Sequence, residues 1–141
     1  MNQLEFIKKQ RNRKLEQEYW DFVIGEKPLF DYLRLSDMDL ITPFGWGSKD
    51  LEHQLLKEFC LESLPTLDSE RIMFYVCPEC GDIGCGTITG RISENTKGQI
   101  EWNNFGYENN HEGIIEIYDN LFFCFEKAEY LQIFQNLKVK L

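Results

Sequence analysis

The chain has 141 residues and a formal net charge of −9, with 24 acidic against 15 basic side chains. Hydrophobic residues make up 43% of it, which excludes a disordered chain and is enough for one packed core. We therefore expect a single domain over residues 1–141. The N-terminal residues lack the apolar segment of a signal peptide, and uninterrupted apolar runs, such as residues 121–125, are far shorter than a membrane span. We expect a cytoplasmic protein with no membrane partner.

The charge is distributed unevenly along the chain. Residues 1–20 carry a net charge of +2, which leaves −11 for the rest, and Gly98 to Glu126 includes six acidic side chains and no Lys or Arg. Such a region repels phosphate backbones and attracts cationic proteins. The sequence thus argues against direct nucleic-acid binding and favours a basic protein partner.

The first predicted element is an amphipathic helix over residues 3–23. Its apolar positions, Leu4, Ile7, Leu15 and Tyr19, mostly follow a spacing of three to four residues. Its polar face is basic and is interpreted as a solvated surface, with Lys8, Lys9, Arg11, Arg13 and Lys14. Residues 26–47 mix Pro and Gly with large apolar side chains, which predicts an ordered connection with one helical turn and a core plug at 44–47.

Two further helices and a set of strands complete the prediction. Ser48 is the expected N-cap of a middle helix that ends before Pro65. Alternating apolar residues predict strands at 72–76, 87–92 and from Ile100 onward, then at 114–118 and 121–125, before a C-terminal helix. The expected fold is α+β, with an antiparallel sheet of three to five strands and N-terminal, middle and C-terminal helices.

The segment CPECGDIGCG at 77–86 carries the clearest chemical pattern of the chain. Its C-x-x-C turn has the form of a zinc knuckle, so Cys77, Cys80 and Cys85 are candidate metal ligands and zinc is the candidate cofactor, with no other cofactor expected. Alternatively, the cysteines are packing residues of a Gly-rich hairpin. No second C-x-x-C follows, and the fourth ligand stays open among Cys60, Cys124, His53, His111, Asp82 and water.

The sequence assigns no catalytic residue. A thioredoxin-like thiol needs a helix after its C-x-x-C, and a dinucleotide site needs one after its glycines, but β-branched residues follow here. His53 and His111 are not tied to any nucleophile. Whether the protein is an enzyme is left undecided, and a non-enzymatic function is favoured.

Aromatic side chains alternate with carboxylates in the acidic region, a composition suited to a tight interface with a cationic protein. The candidate partner-binding residues are Glu101, Trp102, Phe105, Tyr107, Glu108, Glu112, Tyr118 and Asp119.

The block MFYVCPECGDIGCGTIT at 73–89, followed by IEWNNFGYEN at 100–109, resembles a family of small bacterial proteins. Some members of that family carry an oxidoreductase label, and similar small acidic proteins serve as immunity partners of secreted polymorphic toxins. The resemblance implies no catalytic residue for this chain. We expect an immunity protein that binds and neutralises a toxin domain. The alternative is a zinc- or thiol-dependent oxidoreductase-like enzyme centred on the cysteine segment.

Overall fold

The computed structural model describes residues 1–81, 83–118 and 120–141. Over those residues the chain is α+β, as predicted, with two antiparallel sheets and three α-helices. The elements in chain order are β1 (Leu4–Arg11), β2 (Lys14–Ile24), β3 (Lys27–Pro28), α1 (Leu29–Tyr32), α2 (Lys49–Phe59), β4 (Ile72–Tyr75), a 3₁₀ turn (Ile83–Cys85), β5 (Thr87–Glu94), β6 (Ile100–Asn109), β7 (Gly113–Ile117), β8 (Phe123–Phe125) and α3 (Lys127–Lys140).

The prediction of an N-terminal helix is wrong, because residues 4–24 form a β-hairpin. Strands β1 and β2 pair antiparallel from Leu4 opposite Ile24 to Arg11 opposite Lys14, and β3 adds to β2. Two apolar positions of the supposed helix, Ile7 and Leu15, are 40% and 60% exposed. The segment is rich in aromatic and β-branched residues, which suit a pleated surface better than a helix.

The second sheet agrees with the prediction. Its order is β4-β5-β6-β7, and β8 also pairs with β6, which makes five antiparallel strands. The loop between β5 and β6 is closed by Asn95, whose Oδ1 accepts hydrogen bonds of 2.9 Å from the backbone N–H groups of Lys97 and Gln99. The Asn95 side chain thus supplies an acceptor for two backbone N–H groups of the turn, a local effect typical of Asn in loops.

The middle and C-terminal helices are also confirmed. Ser48 caps α2 by accepting a 3.3 Å hydrogen bond from the N–H of Leu51. Glu126 caps α3 in the same way, with a 2.7 Å bond from the N–H of Glu129. These caps satisfy N–H groups that have no partner inside a helix.

Aromatic rings fill the space between the two sheets and the two longer helices. Phe22 of β2 is fully buried, and its ring centroid lies 5.5 Å from those of Phe59, Phe74 and Trp102. Phe44 is also fully buried, so the predicted plug at 44–47 does enter the core. Side chains from both sheets belong to one hydrophobic cluster. That the chain unfolds as one domain remains a prediction.

No helix among the described residues is both long and apolar enough to cross a membrane.

Candidate metal centre and partner-binding surface

The cysteine segment forms a tight turn directly after β4. The N–H of Gly81 donates to the carbonyl of Cys77 at 2.8 Å, and that of Gly86 donates to the carbonyl of Ile83 at 3.0 Å. Both glycines have positive φ, +64° and +89°, which side-chain-bearing residues rarely adopt. The two turns fold residues 77–86 back on themselves and bring the three cysteines together.

The sulfur atoms of Cys77, Cys80 and Cys85 all lie within 4.8 Å of one another. Cys80 and Cys85 are exposed, their Sγ atoms are 2.8 Å apart, and both are free thiols, while Cys77 is half-buried. Thiolates bound to one tetrahedral zinc at about 2.3 Å stand roughly 3.8 Å from each other, so small side-chain shifts suffice for shared coordination. Three cysteines are therefore placed where they can hold a metal ion.

The turn also shifts the thiol pKa values. Burial acts to raise the pKa of Cys77, but hydrogen bonds from the backbone N–H groups of Cys80 and Glu79, and from the neighbouring thiols, lower it below its ordinary value. Hydrogen bonding with Cys80 and Cys77 raises the pKa of Cys85 to about 12. Cys85 thus keeps its proton because its thiol is hydrogen-bonded to the other two sulfur atoms, whereas a bound cation would favour its thiolate form.

The fourth ligand is not supplied by the remaining candidates that the structure describes. Cys60, Cys124, His53 and His111 do not join the cluster, and Asp82 lies outside the described residues. Burial raises the pKa of the Cys60 thiol to about 11, with Glu62 adding to the effect, so Cys60 is a packing residue. Of the ligands that the sequence offered, Asp82 and water stay open for the fourth position, which lies on the exposed side of the cluster.

The N-terminal hairpin holds the cysteine turn in place. The guanidinium of Arg11 makes a two-point ion pair with Asp39, at 2.9 and 2.5 Å, and its Nη1 lies 3.0 Å from Oε1 of Glu79. The amide of Gln17 donates to the carbonyl of Pro78 at 3.3 Å. The two residues between Cys77 and Cys80 are thus bound to the hairpin. Sequence analysis missed this contact because it depends on hairpin pairing.

Three of the predicted partner-binding residues cannot contact a partner in this fold. Trp102 and Phe105 are fully buried in the aromatic core, and Trp102 donates from Nε1 to the hydroxyl of Tyr130 at 3.0 Å. Glu108 is also buried, with its Oε1 3.3 Å from Nε of Arg71 and 2.6 Å from the hydroxyl of Thr89. The prediction that these three form an interface is wrong. Trp102 and Phe105 both pack on Phe74, since the β5–β6 register shifts between Asn103 and Gly106 and breaks the simple alternation of β6, and Glu108 is held by Arg71 and Thr89.

The other predicted partner-binding residues are at least partly accessible. Tyr107 and Tyr118 are half-buried, and Glu112 is exposed. The hydroxyl of Tyr107 lies against Gly86, where a β-carbon would collide with it, so β6 packs directly on the cysteine turn. Glu101 is half-buried near the start of β6, where Asn95 donates to it at 3.0 Å. Asp119 lies outside the described residues.

Strand β7 carries accessible apolar residues that sequence analysis did not select. Ile114 and Ile117 are 43% and 40% exposed, and Glu116 between them is exposed. We call Glu112, Ile114, Glu116 and Ile117 the β7 surface. Its acidic residues were visible in the charge count, but the exposure of its isoleucines follows from the position of β7 at the sheet edge.

Comparison of the chain with protein-family models, with curated protein sequences and with solved structures gives no significant match.

Proposed function

We propose that this protein is an interaction protein that binds a basic protein partner, and specifically an immunity protein that neutralises a toxin domain. The observation that supports it best is the β7 surface, where two exposed isoleucines lie next to two exposed carboxylates. The surrounding sequence, from Gly98 to Glu126, contains no Lys or Arg. A cationic partner meets no like charge on this part of the chain.

Each feature of this surface has a separate role in binding. The uniform negative field accelerates encounter with a cationic partner, and salt weakens that effect. The isoleucines supply apolar area that is removed from water on contact. Tyr107 and Tyr118 flank the surface and offer aromatic area with a polar end, the combination enriched at the centres of interfaces.

The proposal predicts that this gene directly follows a gene for a large secreted protein, and the test is co-expression with the C-terminal domain of that protein. We expect the chain to restore growth of cells that make this domain, and to form a complex with it on size-exclusion chromatography. Doubling the salt concentration should slow association more than dissociation. A domain that stays toxic and elutes separately would contradict the immunity function.

We also propose that Cys77, Cys80 and Cys85 hold one zinc ion that stabilises the turn. Three thiols form the donor set that zinc prefers in structural sites. Elemental analysis of protein purified without chelator should give zinc at one equivalent or close to it. Cys85→Ser should lose most of it, and the matched variant Cys124→Ser should retain it, since Cys124 is not in the cluster. Equal zinc in both variants would contradict this assignment.

A zinc- or thiol-dependent oxidoreductase-like enzyme is the second candidate function. It is favoured by the exposure of both Cys80 and Cys85, which leaves one side of the cluster open to a small substrate. Thiol titration of the native protein distinguishes this enzyme from a structural zinc site. A thiol that reacts faster than a free cysteine would favour the enzyme, and shielded thiols that become reactive only in denaturant would favour a structural zinc.

A further inference from the structure

The edge of the second sheet is formed by β7, and four of its residues are accessible. β7 pairs only with β6, and the structure describes no strand on its other side. Gly113, Ile114, Glu116 and Ile117 are each exposed. By contrast, β1 is an edge strand covered in part by α3, where the rings of Phe6 and Phe134 are 5.3 Å apart. An uncovered strand edge presents backbone N–H and C=O groups that another strand can pair with.

The pairing of β7 with β6 sets which side chains a new neighbour would meet. Glu116 lies opposite Tyr107, and Ile117 lies opposite Gly106, so these two residues of β7 point to opposite faces. Ile117 also covers the place where Gly106 lacks a side chain. A strand added to β7 would therefore meet a carboxylate on one face and an isoleucine on the other.

Charge decides which strand fits. A second copy of this chain, paired antiparallel through the same edge about Ile114, would place Glu112 of each copy opposite Glu116 of the other, and like charges across a strand pair are destabilising. Lysine or arginine on the added strand would instead pair with these carboxylates. Strand β7 contains no Lys, Arg or Pro, residues that commonly prevent strand addition, although it has only five residues and its register with β6 shifts between Ile114 and Glu116.

We propose that the β7 edge binds its partner by strand addition, taking an extended segment in which basic and apolar residues alternate. The inference rests on the proposed binding of a basic partner and names the mode of contact. The backbone hydrogen bonds supply affinity that does not depend on the partner's sequence, and the alternation of charge and apolar area supplies the selectivity.

The probe for the test is a blocked synthetic peptide of alternating lysine and valine. A second peptide has the same residues with every other backbone nitrogen methylated, which removes N–H donors from one edge and keeps the charge. We expect the first peptide to bind in low salt and the methylated peptide to bind at least about tenfold more weakly, a loss equivalent to a few backbone hydrogen bonds.

Variants of the protein locate the contact. Glu116→Lys and Ile117→Ser should each weaken binding of the first peptide about tenfold. The matched controls Glu16→Lys and Leu64→Ser change an exposed carboxylate and an exposed leucine elsewhere and should leave binding within about twofold. All four residues are exposed, so the variants are expected to fold, which circular dichroism checks.

Three results would overturn the inference. They are equal binding of both peptides, equal loss with Glu16→Lys and Glu116→Lys, and no measurable binding of the first peptide. A dimer in solution that Ile117→Ser converts to a monomer would assign the edge to a second copy and overturn it also. None of these results depends on a toxin domain. If one of them is obtained while a complex with the toxin domain still forms, the proposed function stands and strand addition alone is excluded.

Discussion

Two buried carboxylates differ in whether a cation accompanies them. Glu108 is paired with the buried guanidinium of Arg71, whereas Glu58, in the last turn of α2, takes part in none of the ion pairs of the described residues. Glu58 accepts hydrogen bonds from the side chains of Gln54 and Thr66, at 3.1 and 3.4 Å. Burial outweighs these bonds and raises the pKa of Glu58 above its ordinary value of 4.5.

We expect Glu58→Gln to stabilise the protein at pH 7, by about 0.5–1 kcal/mol, since a negative charge at a helix C-terminus is unfavourable. The raised pKa means that the folded state holds the proton of Glu58 more tightly than the unfolded state. Its contribution to stability is thus complete below pH 4.5 and is lost as the pH rises through the folded pKa. The gain from Glu58→Gln should vanish below pH 4.5, as measured by urea unfolding over a pH series.

The matched variant is Glu108→Gln, which removes a carboxylate of similar burial but leaves Arg71 without its ion-pair partner. It should destabilise the protein by about 3–5 kcal/mol at pH 7. Similar effects of both variants would show that ion pairing of these carboxylates does not govern the stability of the fold.

Among the elements, the hairpin was the one that sequence reasoning missed, and the reason is physical. Leu4, Ile7, Leu15 and Tyr19 match a helical period by coincidence, since pairing of β1 with β2 is a long-range property that local spacing does not encode. The strands of the second sheet and the capped helices could be predicted from the sequence, because their signals are local: alternation in the strands, Asn95 in a loop and Ser48 at a helix N-cap. The cysteine cluster was readable for the same reason, whereas burial of Trp102, Phe105 and Glu108 was set by the core.

The hairpin contact gives a prediction about Arg11, which we regard as a positioning residue for the proposed zinc ligands. Arg11→Ala removes the ion pairs with Asp39 and Glu79 and frees the turn between Cys77 and Cys80. Zinc affinity should fall about tenfold, which is the low end of the range expected when a residue that orients a metal ligand is lost. Competition with a chromophoric chelator measures it. Arg13→Ala, an exposed neighbour in the hairpin turn, should leave the affinity unchanged, and an equal loss there would refute the role of Arg11.

Removal of the metal should affect the cysteine turn and spare the rest of the second sheet. The aromatic core consists of other residues, so the fold does not depend on the cluster as a small zinc finger does. We expect chelation of the zinc-loaded protein to increase amide hydrogen exchange in residues 77–86 at least about tenfold and to leave β6 protected. Loss of protection throughout the chain would mean that the metal supports the whole fold.

At the scale of the molecule, the two sheets share one core through Phe22. This β2 side chain is fully buried, and its ring packs on Phe74 of β4, on Trp102 of β6 and on Phe59 of α2. Because neither sheet can lose this contact alone, the hairpin and the five-stranded sheet should unfold together. Hydrogen exchange in β1–β2 and in β4–β6 should then report the same free energy of unfolding.

Phe22→Ala tests this coupling. It should destabilise both sheets equally, by about 3–5 kcal/mol, and unfolding in urea should stay a single transition with an unchanged slope. Phe122→Ala is the matched control, because Phe122 is 52% exposed and its loss should change the stability by less than about 0.5 kcal/mol. Two separate transitions, with only the hairpin destabilised by Phe22→Ala, would contradict the expected single domain. They would show that the two sheets belong to separate domains.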